Sequence, residues 1–177
     1  AGDGMSGAGS GAGQSAGPTR EQMQAAQDMS PDERQKMIQG MVDRLAKRLE
    51  DNPKDLQGWM RLARSYNVLG KPEKARSALK KATEIAPENV DVLAKYARAI
   101  RRAAGDKQTE KSIQISRRIL ELDRDHAEAL WFVGVHEARQ GNRDKARDLF
   151  DKALATLPDS AQTKELRRRA KEMVGDG

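Results

Sequence analysis

The sequence predicts an all-α, right-handed helical solenoid of three repeats with a capping helix at each end. Two observations predict it. In LQGWMRLARSYNVLGKPEKARSALKKATEIAP, residues 56–87, the side chains of Trp59, Leu62, Ala63 and Tyr66 stand at i, i+3, i+4 and i+7, one face of a helix. Gly70 closes a turn, Ala75, Leu79 and Ala82 carry a second apolar stripe, and Pro87 ends it. The second observation is recurrence. Pro53 lies 34 residues before Pro87, and Pro158 lies 34 residues after Arg124 in LDRDHAEAL, where a proline would be usual.

The third copy is as clear as the first. Leu130, Val133, Gly134, Glu137, Gly141, Ala146, Phe150, Ala153 and Pro158 fall where the first copy has Trp59, Leu62, Ala63, Tyr66, Gly70, Ala75, Leu79, Ala82 and Pro87. Glu137 is the one polar exception. The middle copy is weaker: Leu93, Tyr96, Ala97 and Ile100 make its first helix, and Ile115, Ile119 and Leu122 support its second. From Pro87 to Arg124 is 37 residues, so RRAAGDKQTEK is a stretched turn. W-x2-L-[small]-x2-Y followed by a second helix within 34 residues is the tetratricopeptide (TPR) signature. One such helix pair cannot bury its apolar face alone, so the copies must stack.

Taken in order, residues 1–29 read as a Gly/Ala-rich flexible linker with a short helix, TREQMQAAQDM, capped by Thr19 with Gln22. Seven of the 15 glycines fall in residues 1–17, which hold too little apolar surface for a core. A helix over 30–52 follows. Ser30 is its N-cap, Pro31 sits in the first turn and Glu33 reaches back. Its stripe of Met37, Ile38, Met41, Val42, Leu45, Ala46 and Leu49 predicts packing on the first repeat as an N-terminal cap. The repeats occupy 53–158, as 56–89, 90–126 and 127–160 approximately. DSAQTKELRRRAKEMV in 159–177 makes the C-terminal cap, with Leu166, Ala170 and Val174 apolar at i, i+4 and i+8 and a polar outer face.

Composition excludes several functions. The 177 residues are 37% hydrophobic, 34% charged and 3% aromatic, as suits a helical solenoid and not a sheet protein. The net charge of +6 comes from charges mixed in sign along helices, as in EKARSALKKATE, so nucleic-acid binding is not expected. No run of 18 apolar residues and no signal peptide is present, and the opening AGDG reads as the start of a fragment. There is no cysteine. His126 and His136 have no partners at metal-ligand spacing, so neither a metal nor another cofactor is expected. No nucleophile–base constellation accompanies the serines and threonines, so no catalytic residues and no enzyme activity are expected.

In a TPR stack the first helix of each repeat lines the concave groove. The helix stripe offset from the Trp59–Tyr66 face gives Gln57, Met60, Arg64 and Asn67, then Asp91, Ala94, Arg98 and Arg101, then Glu128, Trp131, Val135 and Ala138 with Arg139 beside them. The candidate peptide-binding residues are therefore Met60, Arg64, Asn67, Ala94, Arg98, Arg101, Trp131, Val135 and Arg139. Trp131 is an aromatic left over once Leu130 fills the position of Trp59. It can anchor a ligand or pack against the C-terminal cap. Arg64, Arg98 and Arg101 line up in adjacent helices as a clamp for an acidic side chain or a C-terminal carboxylate. Met60 and Val135 offer apolar contact to an amphipathic helix.

The lead-in EQMQAAQDMSPDERQKMIQGMV joined to LEDNPKDLQGWMRLARSYNVLG, and HAEALWFVGVHEARQGN in the third repeat, resemble the periplasmic TPR module of the bacterial cytochrome c maturation protein CcmI (CycH), over about residues 19–174. The resemblance implies a chaperone for apocytochrome c, holding the unfolded client by its C-terminal helix and working beside the other haem-ligation components. It implies a periplasmic location and a tether to the inner membrane through an N-terminal part missing here. The other reading of the same repeats is a generic TPR scaffold or cochaperone.

Overall fold

The computed structural model describes residues 29–175 and, among them, eight helices and no strand. They are α1 (Pro31–Asp51), α2 (Leu56–Val68), α3 (Pro72–Ile85), α4 (Val90–Ala103), α5 (Glu110–Leu122), α6 (Ala127–Arg139), α7 (Arg143–Ala155) and α8 (Ala161–Val174). The linker and the helix expected around Thr19 lie outside the described residues. The chain forms two compact units, residues 1–40 and 41–177. Of the first unit, the described part is the start of α1. There the Ser30 backbone N–H donates to Glu33 Oε2 at 2.9 Å and the Glu33 N–H donates to Ser30 Oγ at 3.4 Å, the two halves of a capping box.

The second unit is a helical solenoid in which α2 with α3, α4 with α5 and α6 with α7 pair across short turns, and each helix packs on the next. Gly70 and Gly141 close the first and third turns at φ of 65° and 84°, a region that costs glycine nothing. The stretched turn of the middle repeat reverses through two successive left-handed residues, Gly105 and Asp106. Gln108 then donates through Nε2 to the Phe132 carbonyl at 2.9 Å, which ties the longer turn to α6. Side-chain caps start most helices: Asp55 on Gly58, Asn89 on Val92, a Thr109–Ser112 box, and Ser160 on Thr163. His126 caps α6, its Nδ1 accepting the Ala129 N–H at 3.2 Å.

The core follows the predicted stripes with three differences. In α1 the apolar side chains carried inward are Val42 and Leu49, while Met41 is 45% exposed. Leu49 lies so close to Gly58 that a Cβ there would stand 2.5 Å from Leu49 Cδ2. Trp59 is only half-buried, and its Nε1 donates to the Pro53 carbonyl at 2.9 Å. It closes the entry of the repeat, while Leu62, Ala63 and Tyr66 fill the interior. In α5 the inward face is Ser112, Ile113, Ile115, Ser116 and Ile119, and Leu122 is exposed. The buried serines are small enough for close helix approach. Ser116 Oγ donates to the Ser112 carbonyl at 2.9 Å and Ser112 Oγ to the Thr109 carbonyl at 2.8 Å, so neither hydroxyl is stranded.

Glu137, the polar exception at the Tyr66 position, is 3% exposed. It holds together three helices that an aromatic holds by packing in the first repeat. Arg117 of α5 donates at 3.2 Å, Lys145 of α7 at 3.1 Å and Asn142 at the head of α7 at 2.8 Å. Burial pushes the Glu137 carboxyl up, but the hydrogen bonds from Asn142, Lys145 and Arg117 outweigh it and leave it below the ordinary glutamate value. A depressed folded-state value stabilises the fold above the unfolded value, near 4.3, and that contribution is lost as pH falls through the folded value. Glu137→Gln should cost about 1–2 kcal/mol at neutral pH, at the low end because Arg117 and Lys145 are half-exposed or more. The gap between variant and wild type should start to narrow below about pH 4.3 and close only once the pH is under the folded-state value, as urea midpoints across pH would show.

Candidate peptide-binding site

The first-helix stripe delivers its residues to two slots. Met60, Arg64 and Asn67 of α2 meet Arg98 of α4 around the first, with Ala63, Leu79 and Ala99 in its floor and Lys95 and Arg102 at its wall. Its room of about 280 Å³ suits one or two side chains, less than a usual small-molecule pocket. Trp131, Val135 and Arg139 of α6 line the second slot with Phe132, Gln108 and Met173. Arg139 donates to Gln108 Oε1 at 3.3 Å.

Three of the nine candidates are buried: Ala94, Arg101 and Val135, the last of which belongs to the cluster around Phe150 although it borders the second slot. Ala94 is buried among Leu93, Ala97, Ile119 and Ala129, where the middle repeat packs on the third. Arg101 is 6% exposed. Its guanidinium carbon stands 3.6 Å from the Phe132 ring centroid, a cation–π contact, and its Nη2 donates to Glu128 Oε1 at 2.5 Å. Burial pushes the Arg101 guanidinium below the ordinary arginine value, against the pull of Glu128. Arg98 reaches the other Glu128 oxygen at 2.5 Å, and that hydrogen bond raises Arg98. So both arginines are already paired with the one Glu128 carboxylate. Of the expected clamp, Arg64 alone is without an ion-pair partner among the described residues.

Trp131 packs against the C-terminal cap, one of the two placements that the sequence left open. Its ring packs on Phe150 at 4.9 Å between centroids, and Leu166 and Met173 of α8 join the same cluster. It stays half-exposed and lines the second slot. Sequence reasoning missed Arg102 and Phe132. Counting 34 residues on from Asn67 gives Arg101, yet the slot takes its neighbour Arg102, whose Nη1 reaches Asn67 Oδ1 at 3.5 Å. The stripe 95, 98, 102 is as regular a helix face as 94, 98, 101, so the spacing alone was ambiguous by one residue. Among the described residues no group of His, Cys, Asp or Glu could hold a metal, and no helix is long and apolar enough to cross a membrane.

Comparison with known proteins agrees with the repeat architecture. The chain is 20% identical to the crystal structure of MamA protein, with a TM-score of 0.61 over 85% of this chain and 81% of that one. It is 21% identical to YrrB, described as a TPR protein with an unusual peptide-binding site, with a TM-score of 0.57 over 78% of this chain and 75% of that one. Cytochrome c-type biogenesis protein CycH of Rhizobium meliloti (strain 1021) is 54% identical over 55 residues, 31% of this chain and 14% of the relative. CycH of Bradyrhizobium diazoefficiens is 41% identical over 73 residues, 41% of this chain and 20% of the relative. CcmH of Escherichia coli (strain K12) is 25% identical over 133 residues, 75% of this chain and 37% of the relative. The match therefore spans well under half the length of each of these relatives. The family model of the cytochrome c-type biogenesis protein H TPR domain matches residues 17–164, and this chain, a three-repeat helical solenoid in that span, belongs to that family.

Proposed function

We propose that this chain is the client-holding module of cytochrome c maturation. It holds an unfolded apocytochrome c by its C-terminal helix in the groove formed by the first helices of the repeats, on the periplasmic side of the inner membrane, and presents it to the other haem-ligation components. Residues 41–51 and α8 close the two ends of the stack. The observation that carries this reading is the pair of slots on α2, α4 and α6. Each sets apolar side chains (Met60; Trp131, Phe132 and Val135) beside exposed arginines, the surface an amphipathic helix requires. No chemical step is assigned to the module; holding the client is its whole task.

The test is capture of a purified apocytochrome c, unfolded in urea and diluted, against the folded holocytochrome. The chain should retain the apo form and not the holo form. Met60→Asp should weaken retention at least tenfold, because it places a carboxylate in the apolar part of the first slot. Equal retention of both forms would instead fit a generic scaffold.

A further inference from the structure

The groove is electrically lopsided. Five side chains matter at its first slot. Arg64, Lys95, Arg98 and Arg102 line it with no carboxylate among the lining residues, and Asn67 stands between Arg64 and Arg102. Lys95 is paired with Asp91 and Arg98 with Glu128. Arg64 and Arg102 have no ion-pair partner among the described residues; Arg102 reaches only the Asn67 amide oxygen. The second slot is different. Lys107, Arg139 and Arg169 line it together with Asp106 and Glu172; Arg169 is already paired with Glu165, and Glu172 with Arg168. Four cations and no carboxylate line the α2–α4 end, whereas two carboxylates offset most of the positive charge at the α6–α8 end, where Trp131, Phe132 and Met173 add apolar surface.

A bound helix is lopsided too. Its C-terminal end carries about half a negative charge from unsatisfied carbonyls. If that end is the end of the polypeptide, the α-carboxylate adds a full charge. We infer that the groove binds its client in one direction: the free C-terminal carboxylate of an amphipathic helical peptide sits at Arg64 and Arg102, and the apolar body of the helix runs toward Trp131. This rests on the client-holding reading above and adds to it a polarity and a requirement for a free chain end. Two guanidinium groups suit a carboxylate, which accepts from both.

A synthetic peptide of the C-terminal helix of a bacterial c-type apocytochrome, made as free acid and as C-terminal amide, tests this on the full chain. The acid should bind about tenfold more tightly than the amide, the size of one charge-assisted pair. The gap should shrink with added salt. In the double variant Arg64→Ala/Arg102→Ala, acid and amide should bind equally, with the helical circular dichroism of wild type because both side chains are exposed. A benzophenone at the peptide's C-terminal end should cross-link at Met60, and one at its N-terminal end near Trp131. Equal binding of acid and amide by wild type, or a C-terminal cross-link at Trp131, would overturn the direction while leaving the groove as the client site. Failure of both peptides to bind would overturn the client-holding reading as well.

Discussion

Phe150→Ala is expected to be the most damaging single truncation in the third repeat, costing about 3–5 kcal/mol. The ring is 1% exposed and lies at the centre of a cluster with Val135, Ala146, Leu154, Ala170 and Val174. It also supports Trp131. Gly134 is a glycine because of this ring: a Cβ there would stand 2.8 Å from Phe150 Cε1. The first repeat solves the same position differently, with Ala63 and Leu79 where the third has Gly134 and Phe150, all four buried. Volume is traded across the helix pair. Gly134→Ala alone should therefore cost about 1–3 kcal/mol by overpacking a ring that has nowhere to move. The double variant Gly134→Ala/Phe150→Leu rebuilds the pair of the first repeat and should lie within about 1.5 kcal/mol of wild type. Urea unfolding of the four chains checks this. Because each repeat touches only its neighbours, hydrogen exchange in Phe150→Ala should quicken in α6–α8 before α2. Uniform quickening along the chain would contradict the repeat-by-repeat packing.

The same positions show how far the sequence could be read. Periodicity gave the helices, the glycine turns and the Ser30 start, because these are set by residues within one or two turns of each other. The pairing of Gly134 with Phe150 was visible as a position match and not as a contact. What could not be read were interactions across the stack. Glu128 is bonded to side chains 27 and 30 residues away, a distance that depends on how each repeat is rotated against the last. The same uncertainty of rotation hid Arg102 behind Arg101. The serine face of α5 escaped a search for apolar stripes, since its hydroxyls are satisfied by carbonyls one turn back and behave as small core residues. Trp59 fits the signature and yet is half-buried, because its indole N–H is held outward by the Pro53 carbonyl. The match of sequence to family was carried by the local pattern; the slots were carried by the stacking.

Glu128→Ala is expected to cost nearly as much as Phe150→Ala, about 3 kcal/mol, although it deletes a partly exposed side chain. The reason is Arg101. Its side chain is 7% exposed, and Glu128 is its ion-pair partner. Removing the acid leaves a buried guanidinium with no ion-pair partner, held only by the Phe132 face and the field of Asp106. Breaking a buried pair from one side is strongly destabilising, while exchanging both charges for apolar or neutral groups of similar volume is often neutral. Arg101→Met in the Glu128→Ala background should therefore recover most of the loss: Met fills the space beside Phe132 and removes the stranded charge. Arg98→Ala, by contrast, should cost under about 1 kcal/mol, since Arg98 is 60% exposed and returns to water when unpaired. A urea-unfolding comparison of Glu128→Ala, Arg101→Met/Glu128→Ala and Arg98→Ala separates these terms. If Glu128→Ala is no worse than Arg98→Ala, the Glu128 contact is an ordinary surface pair, and Arg101 is kept buried by its stem, the Phe132 ring and Asp106.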